Sequence, residues 1–122
     1  MPAQRNIAVV IAVAAGAAAL TTAAFASGPR LSDSQYIAAA HCQGLFNAHN
    51  LGAADASSIN ALMKVEGSYR TPDVLDRADE ARNQAISKAS HASPSSRSDL
   101  VAERDGACQT WAKSGDSQSV GR

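Results

Sequence analysis

The side chains suited to chemistry in this sequence are two cysteines, three charged residues on otherwise apolar stripes, three histidines and one internal methionine. Cys42 and Cys108 lie 66 positions apart. In a small domain that leaves the cytoplasm, an even cysteine count argues for one disulfide rather than two free thiols. In the chain-entropy account, closing a loop of that length stabilises the fold by roughly 4 kcal/mol at most. A redox-active pair would instead need Cys-x-x-Cys spacing and a helix N-terminus to depress a thiol pKa. Neither is present.

Glu66, Arg82 and Arg104 fall on the apolar stripes of three different helical patterns. A buried charge is costly unless paired, so at least one Glu to Arg pairing across helices is expected, with aliphatic stems packed and charged heads reaching water. The sharper alternative is an anion pocket in which Arg82 and Arg104 hold a carboxylate or phosphate through bidentate contacts. His41 and His49 share a helical face, but eight residues place them about 12 Å apart along the axis, too far to chelate one ion. A helical chelate needs spacings of three or four. Any metal site would have to recruit His91 or acids from elsewhere, and no metal is expected. Met63 invites a noncovalent haem reading, but Met63 reads more simply as core filler and no cofactor is expected. Cys-x-x-Cys-His is missing, as are a Gly-rich phosphate loop, a Gly-x-Ser-x-Gly elbow and a carboxylate pair flanked by aromatics. The expectation is a protein without catalysis. A solvent-accessible convergence of His41, Glu66 and Arg104 would reverse it.

Several elements must position these residues. Arg5 and the amino terminus precede an uncharged run, Ile7 to Leu20, and Ala24-Phe25-Ala26 offers small residues at the −3 and −1 positions of a cleavage site. That is the order of a secretory signal peptide over residues 1–26. The uncharged stretch to Ala26 is also long enough to cross a bilayer. Its alanine richness and the cleavable triplet favour removal over anchoring. No stable membrane insertion is expected after cleavage, and the mature chain is assigned to the periplasm or the extracellular space.

Residues 27–31 read as a flexible N-terminal segment, 32–115 as the helical domain and 116–122 as a disordered tail. Ser32 and Gln35 make a capping box for a first helix from about Asp33 to Asn50. Its inward face carries Ile37, Ala38, His41, Cys42, Leu45, Phe46, Ala48 and His49. Leu51-Gly52 is a stop, and Asp55 or Ser57 caps a second helix that ends near Tyr69. That helix carries the stripe Ile59, Leu62, Met63, Val65 and Tyr69, with Glu66 inside it. Thr71-Pro72-Asp73 is the sharpest start signal in the chain. The third helix buries Val74, Leu75, Ala78, Ala81, Ala85, Ile86 and Ala89, and its alanines allow a neighbour to approach closely. A fourth helix, capped by Ser93 or Ser96, places Leu100, Val101, Arg104, Ala107, Cys108 and Trp111 on one face and stops at Gly115.

No run alternates with a period of two. The pattern therefore predicts an all-α antiparallel bundle of three to four helices, with a Cys42–Cys108 disulfide joining the first helix to the last. A chain of 122 residues, less a leader, supports one small core, and alanine supplies much of the 45% apolar content. Eleven basic residues balance eleven acidic ones, and signs interleave, so charge gives no case for a nucleic-acid partner. The partner is left as an unknown protein or small molecule. In layout, an exported chain of this mature length with one long-range disulfide and helical patterning, the protein is similar to small periplasmic acid-stress chaperones. That resemblance implies a stress-protection role, in which Asp73, Asp76, Asp79 and Glu80 protonate in acid and the freed arginines repel. The alternative is a bundle that carries an anion, a metal or haem.

Overall fold

The computed structural model describes residues 29–120, with side chains to residue 115. The leader and the proposed cleavage point lie outside the described residues. Five α-helices follow in order: α1 (Asp33–Asn47), α2 (Ser57–Gly67), α3 (Pro72–Ser90), α4 (Pro94–Asp105) and α5 (Gln109–Val120), with a 3-10 turn at His49–Leu51. The fold is the all-α bundle expected. The disulfide is formed, with Cα atoms 5.5 Å apart, and ties α1 to the last helical stretch.

Local chemistry sets most of the boundaries. The Ser32 hydroxyl accepts from the Gln35 N–H, and the Gln35 side chain accepts from the Ser32 N–H, so both halves of the capping box are present. Helix α1 stops earlier than expected. Asn47 turns its amide back onto the Gln43 carbonyl at 2.8 Å, and Ala48 is extended. The 3-10 turn then ends at Gly52, whose φ of 93° suits a residue without Cβ. Pro72 opens α3 as expected, although the Thr71 hydroxyl makes no capping bond. Ser93 caps α4, accepting from the Ser96 N–H at 3.3 Å.

The expected fourth helix is divided. Gly106 leaves helical geometry at φ −105° and ψ −94°, and Cys108 sits in the turn that follows. There the Cys108 N–H reaches the Glu103 carbonyl, five residues back, at 3.0 Å. Gly115 does not end the final helix, and the segment expected as a disordered tail continues as helix to Val120. The reason is packing. A Cβ at Gly115 would lie 1.8 Å from the Ser58 carbonyl oxygen, so the glycine is where α5 closes on the start of α2.

Helix α1 packs most extensively on α3, and α2 on α5. The first pairing is as close as the alanine pattern implied: a Cβ at Gly44 would meet the Arg82 carbonyl oxygen at 2.5 Å. The core gathers Tyr36, Ala39, Leu45, Phe46, Ile59 and Met63 with alanines of α3 and the disulfide. The inward face of α1 is rotated from the expected one. Tyr36, Ala39 and Ala40 are inside, Ala38 and His49 are exposed, and His41 is half-buried. Tyr69 lies beyond the end of α2 and is 48% exposed.

Candidate functional site

The three charged residues singled out by the sequence are not brought together. Glu66 is fully buried on α2 and is ion-paired with Arg70. Its carboxylate accepts from the Arg30 N–H at 3.0 Å, the Leu31 N–H at 3.1 Å and Arg70 Nη2 at 2.8 Å. The expected cross-helix pairing with Arg82 or Arg104 is thus replaced by an i,i+4 pair with Arg70. Residue spacing explains the outcome, because Arg70 follows one turn after Glu66 and swings back as the helix ends.

Arg70, which the sequence patterns do not single out, completes this cluster. Its side chain is only 4% exposed. It donates to the Leu31 carbonyl at 2.7 Å and to Asp33 Oδ1 at 2.7 Å, and its guanidinium lies 5.0 Å from the Tyr36 ring centroid. Gly67 leaves room for the Tyr36 hydroxyl, which a Cβ would meet at 2.8 Å. Burial pushes the Tyr36 phenol pKa above its ordinary value, and the nearby Arg70 charge opposes that rise. The segment read as flexible is therefore fixed at Arg30 and Leu31, where a carboxylate and a guanidinium take up the main chain as a clamp.

Arg104 is buried and serves the 3-10 turn. Its Nη1 donates to the Leu51 and Gly52 carbonyls, each at 3.2 Å, and its Nε meets Asp105 at 2.9 Å. The hydrogen bond from Arg104 holds the Asp105 carboxyl below the usual carboxylate range. Arg82 is partly exposed, pairs with Asp79 and donates to Gln43 Oε1 at 3.2 Å. Gln43 and Asn47 both donate to Asn60 Oδ1, which links α1 to α2 by a polar seam.

His41 meets Glu103 at 3.0 Å, while His49 is exposed, so the two histidines do not face a common ion. Among the described residues no group of three or more His, Cys, Asp or Glu side chains is placed to hold a metal ion. Met63 is buried in the core cluster. A groove of about 560 Å³ runs between the end of α3 and α4; its walls include Lys88, His91, Ser96, Asp99 and Glu103 over Leu100. It shares no residue with the Glu66 clamp. None of the described helices is long and apolar enough to cross a membrane. Comparison of the chain with protein-family models, with curated proteins and with solved structures found no match.

Proposed function

We propose that this chain is an exported, non-enzymatic binding protein of the periplasm or cell exterior with a stress-protection role that acid brings out. The observation that carries the reading is the placement of two arginines. Arg70 and Arg104 have side chains 4% and 7% exposed, and their partners are the carboxylates Asp33, Glu66 and Asp105. Arginine keeps its charge at any pH a cell meets, whereas carboxylates do not. Strong acid therefore leaves two buried cations without counter-charges, a state that favours opening over the packed bundle.

The sign follows from Asp105. Its folded pKa is depressed, so its contribution to stability is present above the ordinary carboxylate range and is lost as pH falls through the lowered value. Opening would uncover the alanine-lined faces of α1 and α3, and the disulfide would keep the chain ready to refold. The export half of the reading is supported by the disulfide and the leader pattern. Light scattering from an acid-unfolding client tests the role. Suppression at acid pH that disappears at neutrality is expected, and equal suppression at both removes it.

A second reading, a carrier of small polar cargo, is favoured by the groove between α3 and α4, which sets Lys88 among walls that also carry Asp99 and Glu103. Native mass spectrometry of protein from its own host would retain a discrete extra mass on this reading. A bare chain would count against it.

A further inference from the structure

A cavity of about 400 Å³ lies where the loop before α2 meets the end of α4 and the start of α5, and it shares no wall residue with the groove between α3 and α4. Pockets that take small ligands begin at about 300 Å³. The walls include Phe46, Asp55, Arg104, Asp105, Gln109 and Ala112. The Arg104 side chain is 7% exposed. Its Nη1 donates to the Leu51 and Gly52 carbonyls, its Nε to Asp105 Oδ1, and its Nη2 to Asp105 Oδ2 at 3.4 Å. A guanidinium has one more N–H than those bonds use. That last Nη2 N–H has no acceptor among the described residues, and a buried charged donor left in this state is costly.

Asp55 has the opposite need. Its Oδ1 accepts from the Ser57 N–H at 3.0 Å and the Ser57 hydroxyl at 2.7 Å, while its Oδ2 has no partner among the described residues. Those two bonds hold the Asp55 carboxyl below the usual carboxylate range, as the bond from Arg104 does for Asp105, so both are anions at neutral pH. Two carboxylates against one guanidinium leave the walls with an excess of negative charge. Phe46 and Ala112, both buried, place apolar surface beside them. The fitting occupant therefore carries a positive charge with N–H donors, a hydrogen-bond acceptor close to it and a small apolar group. A simple amine lacks the acceptor. A free amino acid brings a carboxylate against walls that are already negative. The first residue of a peptide meets every requirement, because its ammonium and its carbonyl flank one Cα and its side chain stands between them.

We propose that this cavity holds the N-terminus of a peptide. The α-ammonium donates to Asp55 and Asp105, the first carbonyl oxygen accepts the last Arg104 N–H with Gln109 as a second donor, and the first side chain lies against Phe46 and Ala112. Capture of a chain's amine end is a recurring mode of peptide recognition. The site needs neither opening of the bundle in acid nor removal of the leader, so its failure and theirs are separate.

The test is a titration of isotope-labelled, oxidised protein from its own host with the tripeptide amide Ala-Leu-Ala, followed by amide NMR shifts. Saturable shifts centred on Phe46, Asp55, Gln109 and Ala112 are expected. Acetylating the tripeptide's amine is expected to weaken binding about tenfold or more, the fold-change of one lost hydrogen bond to a charged group. Isobutylamine, which keeps an ammonium and a small apolar group but has no carbonyl, is expected to bind more weakly by about the same factor. That comparison reads the Arg104 donor without altering a buried residue. Asp55→Asn keeps an acceptor for the Ser57 N–H and is expected to weaken binding about tenfold. Shifts centred elsewhere, equal binding of the acetylated tripeptide, unchanged binding by Asp55→Asn or no saturation by about 10 mM each overturn the site. The same tripeptide sequence at the head of a longer unstructured peptide separates the sources. Equal binding assigns the site to chain ends of proteins, and binding of the tripeptide alone assigns it to free oligopeptides; both support peptide N-termini as the ligand.

Discussion

Glu66→Gln is a near-isosteric change that removes one negative charge from a fully buried position. If the amide oxygen keeps the Oε1 place, the contacts to Leu31 and Arg70 and the longer one to the Arg30 N–H at 3.2 Å survive, but an NH2 group then stands where Oε2 accepts that same N–H at 3.0 Å. Two donors face each other there. Arg70 also loses its only buried counter-charge among its described partners and keeps Asp33, whose side chain is 64% exposed. Breaking a buried pair from one side costs about 3–5 kcal/mol. Arg70 retains the Leu31 and Glu66 carbonyls as acceptors, which places this case at the low end, about 3 kcal/mol. With a urea m value of about 1 kcal/mol/M for a domain of this size, the midpoint at neutral pH falls by roughly 3 M with m unchanged. Equilibrium urea unfolding followed by Trp111 fluorescence and by circular dichroism measures it. A loss below about 1 kcal/mol would refute the reasoning, since that is the worth of an exposed ion pair.

Removing the disulfide through Cys42→Ser with Cys108→Ser is expected to cost up to roughly 4 kcal/mol, which lowers the melting temperature by about 15–30 °C in calorimetry. Gly44→Ala drives a Cβ into the backbone of α3 and is expected to cost about 1–3 kcal/mol in urea unfolding, because neither the Arg82 carbonyl nor Ala85 is a flexible tip. Arg104→Ala deprives two carbonyls of their donor and is expected to destabilise by about 2 kcal/mol, whereas Arg82→Ala, partly exposed, costs less than about 1 kcal/mol in the same assay. Tyr36, with its pKa raised mainly by burial, contributes stability that is present below about pH 10 and is lost as pH rises through the higher folded value. An ultraviolet titration is expected to show a phenolate component above about pH 10 that Tyr36→Phe abolishes.

The parts of the fold legible in the sequence are those written in local chemistry. Ser32 with Gln35 and Pro72 after Thr71 start helices where their residue types require, and two cysteines in one small chain pair as arithmetic suggests. Glu66 and Arg104 were legible as charges on inward stripes, because periodicity alone places them there. Their partners were not. Arg70 stands beyond the end of α2, where helical spacing no longer fixes direction, although its i,i+4 relation to Glu66 was a signal that a sequence search for pairs would have found. The carbonyls that Arg104 binds belong to a 3-10 turn whose existence depends on tertiary contacts, among them Asn50 to the Ala89 carbonyl. Gly115 and Gly106 illustrate the ambiguity of glycine. One reads as a stop but is a point of close approach, and the other reads as ordinary helix but breaks it. The exposure of Ala38 and His49 has a similar origin: alanine-rich stripes are wide enough that the facing helix, rather than hydropathy, decides which side is buried.

The central claim is an exported chain, freed of its leader and closed by one disulfide. The most direct test is the intact mass of the protein recovered from the exported fraction of its host, with and without reduction. The account predicts a chain that begins at Ser27 and gains two hydrogens on reduction. A chain that still carries Met1 to Ala26, or one whose mass is unchanged by reductant, would contradict it.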